Sequence, residues 1–114
     1  MDMANPVDLT NLRTMTDGDK EMELALFQEF YSSSEAAFDK MAKEGCTDGQ
    51  NEIWRTTAHA IKGSAYNLGA KALGDLCEQA QENPAASGSD KEVLLEKIKT
   101  EYAAVKAYLQ MVHA

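Results

Sequence analysis

The sequence predicts an all-α fold, an antiparallel up-and-down four-helix bundle with a short additional N-terminal helix. Three observations lead there. Apolar residues recur at spacings of three and four along most of the chain, the period of a helix with one buried face. No run alternates with period two, so no strand is expected. Only two prolines and seven glycines interrupt 114 residues, which leaves room for long helices.

Taken in order, Asn5-Pro6 predicts a helix start, with Asn as cap and Pro at the first helical position. A short helix through Val7, Leu9, Leu12 and Met15 then ends at Asp17-Gly18. From about Asp19 a long helix begins, with Glu21 and Glu23 at its electropositive end. Its inner stripe is Phe27, Phe30, Tyr31, Ser34, Phe38 and Met41, and Gly45 is its stop. Thr47-Asp48-Gly49-Gln50 has the form of a capping box and opens the next helix, which runs to Asn67-Leu68-Gly69. A fourth pattern uses Leu73, Leu76, Cys77 and Ala80. The loop Asn83 to Gly88 follows. Ser89, with Glu92 three residues on, is expected to cap a last helix with inner positions Leu94, Ile98, Tyr102, Val105, Leu109 and Val112.

The 114 residues suit one domain spanning 1–114. A hydrophobic content of 44% is enough to build a core and too high for a disordered chain. Eleven basic against nineteen acidic residues give a formal charge of −8. That balance argues against nucleic acid, whose phosphates need a surplus of Lys and Arg. It favours a monomer kept apart from its copies by repulsion. MDMANPVDL has neither a basic head nor an apolar run, so no secretory signal is read. No segment approaches the roughly 20 apolar residues of a membrane span. Cys46 and Cys77 lack metal-ligand spacing and are expected to be reduced thiols in a cytoplasm. A free-standing protein is expected in preference to an excised module.

The histidine within AHAIKGSAYNLGA, residues 58 to 70, carries the functional question. At about 100° per residue, Ile53, Thr57, Ala60, Ile61, Ser64 and Leu68 share one arc, with Trp54 and Ala65 at its edge. His59 lies nearly opposite that arc and faces solvent. Lys62 and Gly63 stand beside it, Arg55 one turn below, and Tyr66 two turns along. An exposed histidine or a pair of surface cations is ordinary. Gly63 is harder to explain, because a helix-interior glycine costs about 0.5–1 kcal/mol relative to alanine. No core contact on an exposed face would offset that cost, so something must come close to the backbone there. A solvent-exposed imidazole is largely neutral near pH 7 and therefore nucleophilic. Lys62 can balance the charge of a phosphoryl group, and Gly63 lets a partner's loop bring one close.

These residues resemble the signature of histidine-containing phosphotransfer (HPt) domains, the intermediates of multistep two-component phosphorelays. The match runs through His59-Ala60-Ile61-Lys62-Gly63-Ser64-Ala65, then Leu68-Gly69-Ala70 and Leu73. The resemblance implies that His59 accepts a phosphoryl group from a receiver-domain aspartyl phosphate and passes it to another receiver's aspartate. It implies phosphate stabilisation by Lys62, access at Gly63, and response-regulator receivers and a hybrid histidine kinase as partners. No cofactor of the protein's own is expected; Mg2+ would sit on the receiver. Many members carry a glutamine on the next helix that hydrogen-bonds the imidazole, and an ungapped match places it at Gln81, which could equally be a surface residue near a helix end. Arg55 and Ser64 would support the site, and Arg55 and Gly63 would also meet the partner. Ser64, on the core arc, is expected to bond the preceding turn. Tyr66 departs from the small residue usual in the family; it either contacts the docking receiver or is an amphipathic surface residue. Glycine-rich nucleotide-binding loops are missing from the sequence, so no autokinase activity is expected.

Rival readings fail on residues. A di-metal bundle needs inward Glu-x-x-His pairs, but Thr56 stands three before His59. Asp17-Gly18-Asp19 opens like a calcium loop, yet Met22 and Gln28 occupy the positions that need Gly and Glu. Gly63-Ser64-Ala65 is not a nucleophile elbow, and His113 reads as a polar chain end. The alternative that stays open is a non-phosphorylated helical adaptor binding a partner through the His59/Gly63 face.

Overall fold

The computed structural model describes residues 6–46 and 50–112, which are helical with short connections and contain no strand. Helix α1 spans Thr10–Thr16 and α2 Lys20–Lys40, continued by a π-helical turn over Met41–Gly45. Helices α3 (Asn51–Leu68), α4 (Lys71–Glu82) and α5 (Gly88–Val112) follow. Contacts join α2 to α3, α3 to α4, α4 to α5 and α5 back to α2, while α1 packs on α2 and α3. Phe27, Met41, Trp54, Leu73, Ile98 and Leu109 are each 0% exposed at the centre. A side chain of this kind, when fully buried, contributes about 1.5–3 kcal/mol.

The first helix starts later than its sequence suggests. Pro6 lies in a bend and helix begins only at Thr10, while Asn5 falls outside the described residues. The Asp8 carboxylate accepts the Thr10 N–H at 3.0 Å and the Thr10 hydroxyl at 2.6 Å. What overrides the Asn-Pro signal is tertiary: Val7 and Leu9 are buried, and the Asp8 N–H donates to the Gly69 carbonyl at 2.9 Å. Asp17 and Gly18, at φ 52° and 78°, end α1 as expected, although Met15 points to solvent.

Asp19 caps α2 by accepting the Met22 N–H at 3.1 Å. Its acidic first turn does more than meet the helix dipole. Glu23 is buried and accepts from Arg13 Nε at 2.9 Å, tying α1 to α2. The stripe Phe27, Phe30, Ser34, Phe38 and Met41 is buried, with Tyr31 half-buried at its edge. Gly45 closes the π turn where the chain meets Trp54; a Cβ there would stand 3.3 Å from the indole. Thr47, Asp48 and Gly49 of the expected capping box lie outside the described residues, and Gln50 makes no side-chain cap.

On α3 the buried face is Trp54, Thr57, Ala58, Ile61, Ala65 and Leu68. It is turned by about 60° from the arc expected from the sequence, at roughly 100° per residue. Ala60 is exposed, and Ile53 and Ser64 are only half-buried. The small residues Ala58 and Ala65 let the α4 backbone approach, and Trp54 Nε1–H donates to the Ala80 carbonyl at 2.8 Å. Counting aliphatic residues puts the stripe on the wrong side of that contact.

Leu73, Gly74, Cys77 and Ala80 form the inner face of α4, with Leu76 half-buried. Cys46 and Cys77 are free thiols. Ser87, not Ser89, caps α5: its hydroxyl accepts the Asp90 N–H at 3.1 Å. Leu95 replaces Leu94 on the inner stripe, and Val112 is half-buried. Lys91, 1% exposed, was not expected inside. Its amine donates to Asn51 Oδ1 at 3.2 Å and stands 5.5 Å from the Trp54 ring centroid, the partners a buried cation needs.

Candidate functional site

His59 stands exposed in the middle of α3, well away from the buried stripe. Its Nδ1 lies 3.1 Å from Oε1 of Gln81, which reaches across from the last turn of α4. With the amide oxygen turned to the ring, Nδ1 carries the proton and donates it. The lone pair is then on Nε2. The register that brings Gln81 here is held one residue away, where the Ala80 carbonyl takes the Trp54 indole N–H.

Gly63 sits one turn on. Beyond its own helix backbone, a Cβ built on it meets nothing within 4 Å among the described residues. None of them therefore requires a glycine at this position, which leaves the surface open beside the imidazole. Lys62, half-buried, forms no ion pair among the described residues. Arg55 differs: its Nε donates to Glu52 Oε1 at 3.3 Å and its Nη2 bonds the other carboxylate oxygen. That bond holds the Glu52 carboxyl below its ordinary range. Of the two cations flanking His59, only Lys62 is uncommitted.

Ser64 turns towards α2. It lines a cavity of about 40 Å3 with Ser33, Ser34, Ala37, Ala60 and Ile61, on the side of α3 away from α4. Contrary to expectation, its hydroxyl has no partner in the preceding turn among the described residues. Tyr66, 39% exposed, lies against Gly74 of α4 and donates its hydroxyl to Asp75 Oδ1 at 2.6 Å. The sequence reading missed Gly74 and Asp75. The available signal was a glycine on the inner face of a helix, which asks for a bulky neighbour. His113 lies outside the described residues.

Two contacts, His59 to Gln81 and Tyr66 to Gly74, show that α3 and α4 run antiparallel and share one face. That face presents an oriented imidazole, an uncommitted ammonium and bare backbone. It holds what a phosphoryl group needs: a nucleophile, a counter-charge and room to approach.

No curated protein and no solved structure matches the chain. A family model described as the Hpt domain matches residues 25–108, well over half of the 114. By that match the chain belongs to the Hpt domain family, phosphotransfer modules of two-component signalling that work with receiver and kinase domains and are not themselves kinases.

Proposed function

We propose that His59 is the phosphoacceptor of a phosphorelay, taking the group from a receiver-domain aspartyl phosphate and giving it to the aspartate of another receiver. The observation that carries this is the bond between Nδ1 and Gln81 beside the open backbone at Gly63. The Nε2 lone pair attacks phosphorus as the bond from phosphorus to the aspartyl oxygen breaks. The carboxylate leaves with the electron pair. The product ring is an imidazolium that keeps its Nδ1–H, so no proton has to leave, and the Gln81 carbonyl dipole steadies the new positive charge. Lys62 offsets the phosphoryl oxygens, and Arg55 adds a weaker, partly neutralised field. Ser64 takes no part in the transfer. Mg2+ belongs to the receiver. The reverse steps deliver the group onward.

The helices α2 to α5 serve this reading as an antiparallel up-and-down bundle in one domain, with α1 as the addition. A hybrid histidine kinase would supply the first phosphoryl group. The protein would not label itself from ATP.

The test is to mix the protein with phosphorylated receivers and locate the label by mass spectrometry. Acid-labile, base-stable phosphate on His59 is the expected result. No label from several receivers favours the adaptor; label on another residue would place the acceptor elsewhere.

Gly63→Gln makes a second prediction. Because no atom of the described residues beyond the local helix backbone lies within 4 Å of the new Cβ, helical content should be unchanged. A misplacement of about 1 Å between reacting groups costs about 100-fold, so receiver-mediated transfer should slow by at least that much. Transfer at the parent rate would show that close approach at Gly63 is not needed.

A further inference from the structure

Tyr66 is held in place yet uncovered. Its ring rests on Gly74, where an added Cβ would lie 2.8 Å from Cζ and nearer still to the adjoining Cε1 and Cδ1. Its hydroxyl donates to Asp75 Oδ1 at 2.6 Å, and the second oxygen of Asp75 takes Lys71 Nζ at 2.9 Å. Asp75 pushes the phenol up to about 12, so it stays a donor across the physiological range. A helix glycine at 74 and a carboxylate at 75 are thus given over to fixing one aromatic ring. That ring is still 39% exposed. Burial alone does not account for the arrangement. A pre-ordered aromatic ring that loses little entropy on contact is the usual form of a binding anchor.

Its position is on the expected docking face. Seven helical residues separate it from His59, about 10 Å along the axis. A partner docked over His59 with a standard interface covers about 800 Å2, a disc of roughly 16 Å radius, and must meet Tyr66. The electrostatics name what it meets. The π face is electron-rich, the carboxylates of Asp75 and Glu78 lie near enough to raise the phenol, and the Asp75 side chain is 45% exposed. Lys71 now answers Asp75, but its own side chain is 82% exposed. A pair that exposed is weak enough to displace.

We propose that Tyr66 and Asp75 form a docking point for a cationic side chain of the receiver. Arginine suits it best, because its planar guanidinium can stack on the ring and bond the carboxylate together. The site thereby selects receivers that carry such a residue. This rests on His59 as phosphoacceptor.

The experiment measures kcat and KM for transfer from several phosphorylated receivers, with direct labelling of His59 by phosphoramidate as the reference rate. Tyr66→Ala and Tyr66→Leu should each raise KM by about tenfold for the receivers that the parent prefers, with kcat little changed. Tyr66→Phe keeps the π face and should recover most of that loss. Asp75→Asn should raise KM and flatten its dependence on salt. Gly74→Ala unseats the ring and should match Tyr66→Ala, with no further effect in the Tyr66→Ala background. Leucine working as well as phenylalanine would overturn the cation assignment. Unchanged KM for every receiver, with His59 still labelled, would overturn the docking point alone. A parent that takes phosphate from neither source would remove the phosphotransfer reading and this proposal with it.

Discussion

His59→Gln is expected to accept no phosphate from any receiver while keeping the parent's unfolding midpoint. Both halves follow from geometry. The imidazole is exposed and its one described hydrogen bond is to the half-buried Gln81, so little packing is lost. Surface replacements of this kind usually fall within about 0.5 kcal/mol. The chemical loss is complete because a glutamine amide has no nucleophilic lone pair comparable with Nε2. Two neighbours along the helix, Lys62 and Tyr66, do not supply one. Lys62, one turn away, is a cation, and the Tyr66 phenol is held protonated by Asp75. The variant also separates the two readings of the surface. A helical adaptor would bind its partner through this face with or without the imidazole. Receiver binding that survives in His59→Gln while label vanishes fits phosphotransfer; label that persists would place the acceptor elsewhere.

The elements were legible where the signal is local and repetitive. The stripe of α2 and the stop at Asp17-Gly18 are set by periodicity and backbone sterics, and the sequence contains both. The exposure of His59 and Gly63 was legible for a related reason: an exposed face has no packing to disguise a glycine that packing does not need. Failures came wherever a distant residue decides. The start of α1 depends on Asp8 meeting Gly69, sixty-one positions along the chain. The buried face of α3 depends on Trp54 reaching Ala80. Lys91 is inside because Trp54 and Asn51 receive it. The pairing of Tyr66 with Gly74 falls in the same class, since neither residue alone announces the other. Gln81 was placed by the family pattern, and only the coordinates bring it to Nδ1.

Replacing Gly69 by alanine should lower stability by about 3 kcal/mol, roughly 10–20 °C in Tm for a domain of this size. Gly69 ends α3 at φ 98°, where an L-residue costs about 1–2 kcal/mol. Sterics add more. The new Cβ would overlap the Asp8 carbonyl oxygen and lie 2.8 Å from its carbon, and backbone cannot swing aside as a side chain does. The segment would have to lift, breaking the bond from Asp8 N–H to the Gly69 carbonyl and partly uncovering Val7 and Leu9. Gly63→Ala is the control within the same helix. With open space around it and an ordinary helical backbone, it should gain about 0.5–1 kcal/mol. Opposite signs from two glycine-to-alanine changes six residues apart, read by urea or thermal unfolding, would separate a glycine needed by the fold from one needed by a visitor. If both stabilise, the N-terminal segment does not bear on the α3–α4 turn. If both destabilise, Gly63 has a structural duty and its openness is no sign of a partner.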